Sequence, residues 1–219
     1  MTRTLSIETP IHGRVLVEDA AVAVPDGCLV LFHGYAQDAA QILADVAGIP
    51  GIDRWTRVGV QGLHRFYTRD QHVVASWMTR QDRDAAIADN VAYVDRALDA
   101  VAPSAGRLVF AGFSQGASMA YRAARLGRRD AHGIIALGGD LPPELRSAGV
   151  PARLWPPVLI GVGDREHWYT PDKVAADLAA LTTMGAPQEL VRFAGGHEWT
   201  GEFRAAAGRW LAALPVARA

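Results

Sequence analysis

Short apolar runs alternate along this chain with longer stretches of helical periodicity, and each run closes on glycine or a polar turn. The clearest are CLVLFHG (28–34), TRVGVQG (56–62), RLVFAGFS (107–114), HGIIALGG (132–139) and PVLIGVGD (157–164), with QELVRFAG (188–195) as one more. Strands separated by helical segments predict an α/β protein with a mostly parallel sheet. The runs are continuously apolar rather than alternating, as strands covered on both faces require. At the N-terminus, TLSIE and GRVLVED are separated by a Pro-containing turn too short for a helix, which predicts antiparallel pairing at one sheet edge.

Between the strands, Ile87, Val91, Val94, Leu98 and Val101 are spaced by four, three, four and three residues, so one stripe of a long helix faces the sheet. Val174, Leu178 and Leu181 mark a second helix after Pro171, and a third is expected from about Trp199 to Leu214. The segment after Ser114 is rich in alanine, which lets a helix approach the sheet closely. The length of 219 residues is read as one domain spanning 1–219. Residues 63–84 are polar, aperiodic and long for a plain loop, and are expected to form a lid or a substrate-binding excursion.

Composition narrows the function. Lys+Arg total 22 against 23 Asp+Glu, a balance that implies no nucleic-acid partner. No run approaches the ~18 apolar residues of a membrane span, and MTRTLSIETP lacks the apolar core of a signal peptide, so a cytoplasmic location without integral membrane association is expected. The one cysteine, Cys28, excludes an intramolecular disulfide and a cysteine metal cluster, and its place in an apolar run reads as a small buried hydrophobe.

The candidate chemistry centres on Gly112-Phe113-Ser114-Gln115-Gly116, a G-x-S-x-G pattern with a buried strand before it and a helix after it. A serine in so sharp a turn leaves no room for side chains two positions away on either side, hence the glycines. The helix that starts there presents free N–H groups and a positive dipole end to a developing oxyanion. A serine hydroxyl needs a base and an acid to orient that base, in the chain order Ser, Asp/Glu, His. His197 in FAGGHEW, just after the last strand, is the candidate base, with His167 as its competitor. Asp164, ending VLIGVGD, is the candidate acid; Asp140 is the fallback, and Glu166 and Glu198 are weaker choices because their loops need not aim them at His197. Two oxyanion donors are expected in the backbone amides of Gln115 and Tyr35.

Together, LFHGYAQDA, SWM, GFSQG, GVGD and GGHEW resemble the phospholipase/carboxylesterase family of α/β-hydrolases, a group that includes acyl-protein thioesterases and small bacterial carboxylesterases. The resemblance runs from about residue 28 to 210. It implies the α/β-hydrolase fold, with about seven to eight strands and helices on both faces, and it assigns nucleophile, acid and base to Ser114, Asp164 and His197 and the oxyanion donors to Tyr35 and Gln115. Three features depart from the family pattern. Ala36 stands where the His-Gly-x-Gly loop usually has its second glycine. The loop after the acid, REHWYT, is longer and aromatic, and Leu63–Trp77 lacks the family's proline and carries His64, Arg65, Arg69 and His72.

The expected reaction is hydrolysis of a small-molecule carboxylic ester or thioester through an acyl-enzyme, by a monomer or homodimer. No metal or organic cofactor is expected, because the chain has no H-E-x-x-H, no third glycine for a dinucleotide loop and no G-K-[ST]. Phe66, Trp77, Met78 and Trp168 are the candidate substrate-binding residues. An acyltransferase or peptidase on the same triad, or a ligand-binding protein on this fold without turnover, are the alternative readings.

Overall fold

Burial on both faces organises the sheet. In the computed structural model, which describes residues 1–101, 106–146 and 153–215, the strands are β1 (Arg14–Glu18), β2 (Gly27–Phe32), β3 (Trp55–Gln61), β4 (His64–Tyr67), β5 (Val73–Ser76), β6 (Arg107–Phe113), β7 (Gly133–Leu137), β8 (Val158–Gly163) and β9 (Gln188–Phe193). The helices are α1 (Ala39–Val46), α2 (Arg83–Val101), α3 (Gln115–Leu126), α4 (Pro171–Thr183) and α5 (Gly201–Ala213). Seven strands form one sheet in the order β1-β3-β2-β6-β7-β8-β9, parallel throughout except for β1, which runs antiparallel to β3 from Arg14 opposite Gln61 to Glu18 opposite Arg57.

Every residue of β2, β6, β7 and β8 is buried. Alternate side chains enter two separate cores: Val30, Phe32 and Phe110 pack with the apolar stripe of α2 and with α3 and α4, while Leu29, Leu31 and Val109 pack with α1 and α5. At about 25 cal/mol per Å² of apolar surface removed from water, these two layers are the main favourable contribution to folding. Cys28 sits in the first core at 3 % exposure, and burial pushes its thiol up to about 12.

The N-terminal hairpin is not formed. Residues 1–13 carry no regular element, and Leu5, Ile7 and Ile11 are exposed. The edge strand β1 is only partly covered, so a further strand beside it has little apolar surface to pack on, and strand pairing without such contacts is weak. Residues 63–84 are more ordered than an irregular excursion: β4 and β5 pair antiparallel, and a bridge between Gln37 and Ala75 ties this hairpin to the loop after β2.

Parallel topology brings the C-terminal ends of β2, β6, β7, β8 and β9 to one edge of the sheet. That edge is where an open α/β sheet presents ligand-binding loops.

Candidate active site

Ser114 lies between the last residue of β6 and the first of α3, with φ 56° and ψ −119°. A non-glycine residue in that conformation stores on the order of 1–3 kcal/mol of strain. The turn is held by Ser114 N–H donating to Leu137 O (2.8 Å) and by Ala117 N–H donating to Ser114 O (3.0 Å). The flanking glycines are required by contact: a Cβ on Gly112 would lie 2.0 Å from Gly116 O, and one on Gly116 would lie 2.0 Å from Phe32 O. With α3 pressed this close to β2 through Ala117 and Ala120, the serine is lifted above the sheet edge.

The Gln115 amide is the first of α3 and has no intrahelical acceptor. Among the described residues the Tyr35 amide donates to no backbone acceptor, although its neighbours are engaged: Gly34 N–H donates to Gln37 Oε1 (2.7 Å) and Ala36 N–H to Ala75 O (3.1 Å). Beneath this loop, fully buried His33 donates from Nδ1 to Gly34 O (2.6 Å) and accepts Gly62 N–H at Nε2 (3.0 Å). Burial pushes the His33 pKa down, which keeps the ring neutral and its Nε2 lone pair available. The Gln115 carboxamide clamps the opposite side, accepting from Trp77 N–H (2.9 Å) and donating to Met78 O (3.0 Å).

Ala36 occupies the left-handed region at φ 57°, where the family pattern has glycine. An L side chain there costs about 1 kcal/mol, partly offset by the lower entropy of the unfolded chain. Ala36→Gly is therefore expected to raise unfolding free energy by about 0.5 kcal/mol in urea titration. A loss of stability instead would show that the methyl packs usefully.

His197 follows β9 and stacks on Phe113, with ring centroids 4.7 Å apart. The carboxylate on it is Glu166, whose Oε2 lies 2.6 Å from His197 Nδ1. The Glu166 side chain is 2 % exposed, and its Oε1 accepts the amides of His167 (2.8 Å) and Trp168 (2.7 Å). Burial by itself pushes this carboxyl up, but the Trp168 amide and the His197 ring outweigh it and hold it below the ordinary carboxylate range. An ionised Glu166 fixes the proton on Nδ1 and leaves Nε2 as the acceptor. Gly138, at φ 62°, makes room for the pair, since a Cβ there would stand 3.0 Å from both His197 Nδ1 and Cε1. Ser114 Oγ is not hydrogen-bonded to the ring in this arrangement, as is common for such sites before substrate closes them.

The structure places Asp164 on other partners than His197. Its Oδ1 accepts Gly195 N–H (2.9 Å) and pairs with Arg165 (3.4 Å), and its side chain is 59 % exposed. The chain continues from β8 beside β9 for two more residues, through Asp164 N–H to Phe193 O and Arg165 N–H to Gly195 O, before it turns back over His197. The strand-ending aspartate is thus spent on knitting two loops, and the longer side chain two residues later reaches the imidazole. Asp140 does not meet His197 either; it stands 3.7 Å from Lys173 Nζ. Glu198 accepts its own neighbour's amide, Gly196 N–H.

A cavity of about 220 Å³ opens beside Ser114 and Gln115, bounded by Ser118, Gly138, Gly139 and Asp140 on one side and by Trp168, Tyr169 and Lys173 on the other. Of the expected substrate-binding residues, Trp168 lines it and is 72 % exposed. Phe66 stacks on Tyr35 at 5.5 Å. Trp77 is fully buried rather than in the cavity: it lies edge-on to Phe32, and its Nε1 donates to His33 O, so it supports the loop after β2 from below. Met78 packs against the same core and offers its carbonyl to Gln115. Larger hollows of about 610 Å³ beside α2 and about 320 Å³ near Arg14 and Arg65 contain neither Ser114 nor His197, so the smaller one is the candidate site. Among the described residues no group of His, Cys, Asp and Glu is arranged to hold a metal, and no helix is long and apolar enough to cross a membrane.

The profile of a family described as Phospholipase/Carboxylesterase matches residues 71–182, a little over half of the chain. A search of curated proteins matched none. Among solved structures, esterase PE8 superposes with a TM-score of 0.73 at 22% identity, over 94% of this chain and 100% of that one. Zea mays acyl-protein thioesterase 2 gives 0.73 at 17% identity, over 92% and 99%. A carboxylesterase from Mesorhizobium loti gives 0.70 at 22% identity, over 92% and 94%. These structures share the fold of this chain.

Proposed function

We propose that this chain, which belongs to the phospholipase/carboxylesterase family, hydrolyses small-molecule carboxylic esters or thioesters with Ser114 as nucleophile, His197 as base and Glu166 as the acid that orients it. The single observation that carries the reading is the pairing of His197 with the buried Glu166 carboxylate beside the serine elbow, with Nε2 left as the free acceptor.

In the first half-reaction His197 Nε2 takes the Ser114 proton while Oγ bonds to the acyl carbon. The carbonyl π pair moves to oxygen, where the amides of Tyr35 and Gln115 stabilise the charge. Collapse of the tetrahedral intermediate expels the alcohol or thiol, which receives the proton from His197. Water then repeats the sequence on the acyl-serine and releases the acid. Glu166 stays ionised throughout and stabilises the transient imidazolium. Closure of the ring onto Ser114 accompanies substrate entry.

The test is a burst experiment with p-nitrophenyl acetate combined with an aryl phosphonate inhibitor. One equivalent of nitrophenol should appear in the burst, and peptide mass spectrometry should find the phosphonyl group on Ser114 as activity is lost. Labelling at another residue, or no turnover of any short ester, would leave the reading without support and favour a ligand-binding role.

A further inference from the structure

We infer that the cavity beside Ser114 is a subsite for a short acyl group ending in a carboxylate, received by Lys173; this rests on the reading of Ser114 as the nucleophile. Size comes first. At about 220 Å³, the cavity holds the volume of on the order of seven water molecules. That accommodates a four-carbon acyl group with a terminal carboxylate.

The walls set the polarity. Among the described lining residues only Trp168 presents large exposed apolar surface; Tyr169 is buried, and its hydroxyl donates to Asp177 Oδ2 (3.0 Å). Lys173 brings an ammonium with three N–H donors. One goes to Trp168 O (3.0 Å); the Asp140 carboxylate, at 3.7 Å, is beyond hydrogen-bond length. Two donor directions are therefore open to an incoming oxygen. The first turns of α3 and α4 also border the cavity, through Gln115 and Ser118 and through Lys173 itself. Both positive helix ends favour an anion there.

Asp140 opposes this, being the one carboxylate among the described residues of the wall. Its side chain is 46 % exposed, so water stabilises its charge, and it loses little when Lys173 turns to a substrate. Its backbone carbonyl is tied to Ser118 Oγ (3.1 Å), which fixes that wall without using the ammonium.

The decisive experiment compares kcat/KM for methyl hydrogen succinate with that for methyl butyrate, in wild type and in Lys173→Met. Wild type should favour the succinate half-ester, and the variant should lower the succinate-to-butyrate ratio about tenfold. An unchanged ratio, or a wild-type ratio below one, overturns the subsite. A third substrate, 3-acetoxypropanoate, carries the charge on the alcohol; dependence on Lys173 for this ester alone would overturn the acyl placement. Should wild type hydrolyse none of the three, the hydrolase reading fails separately. Calorimetric titration with free succinate then decides the subsite: binding lost in Lys173→Met sustains it as an anion site, and no binding to wild type removes it.

Discussion

Ser114→Ala is expected to reduce kcat for p-nitrophenyl acetate by at least ~10⁴-fold while leaving the thermal unfolding midpoint nearly unchanged. The size of the loss follows from the chemistry: without Oγ no acyl-enzyme forms, and only the oxyanion amides and binding remain to help water attack directly. Folding should tolerate the change because the strained turn is held by backbone bonds from Ser114 N–H and O, which alanine keeps. The measurement is steady-state turnover beside a melting curve, with loss of the burst as the internal control. Residual activity within tenfold of wild type would remove Ser114 from the mechanism.

Glu166→Gln is expected to cost about 10⁴-fold in kcat, and Asp164→Asn no more than about twofold. In the glutamine variant Oε1 can still accept the His167 and Trp168 amides, but an N–H group replaces the acceptor opposite His197 Nδ1. The imidazole is then driven to the tautomer with its proton on Nε2, where it cannot take one from Ser114. Asparagine at 164, by contrast, still accepts Gly195 N–H and loses only an exposed pairing with Arg165. Matched kinetics of the two variants read out which carboxylate orients the base. The reverse pattern, a collapse with Asp164→Asn and a mild effect with Glu166→Gln, would restore the strand-ending aspartate to the role.

Much of this was legible in the residues. The apolar runs marked the parallel strands to within a residue or two, because strands covered on both faces are mostly apolar along their length. The stripe from Ile87 to Val101 marked α2 for the equivalent reason at helical period. G-x-S-x-G between a strand and a helix located Ser114, since only glycine fits where α3 meets Phe32 O. His197 was legible from its place after the last strand.

What the residues left open was wherever two groups of similar chemistry sat within one loop. Asp164 and Glu166 are two positions apart, and nothing in GVGDREHW separates them. The difference is three-dimensional: β9 holds the first carboxylate on Gly195 and lets the second fold back over His197. Trp77 likewise reads as a pocket aromatic until the hairpin of β4 and β5 carries it under His33. Lys173 carries no signal at all, because its cavity joins the first turns of α3 and α4 and the loops after β7 and β8, far apart in the chain. The sequence alone determined the strands, the helices and the serine turn between β6 and α3, which depend on local period and steric necessity. Only the tertiary structure decided which carboxylate meets His197 and the shape and charge of the cavity, which depend on where loops from distant strands meet.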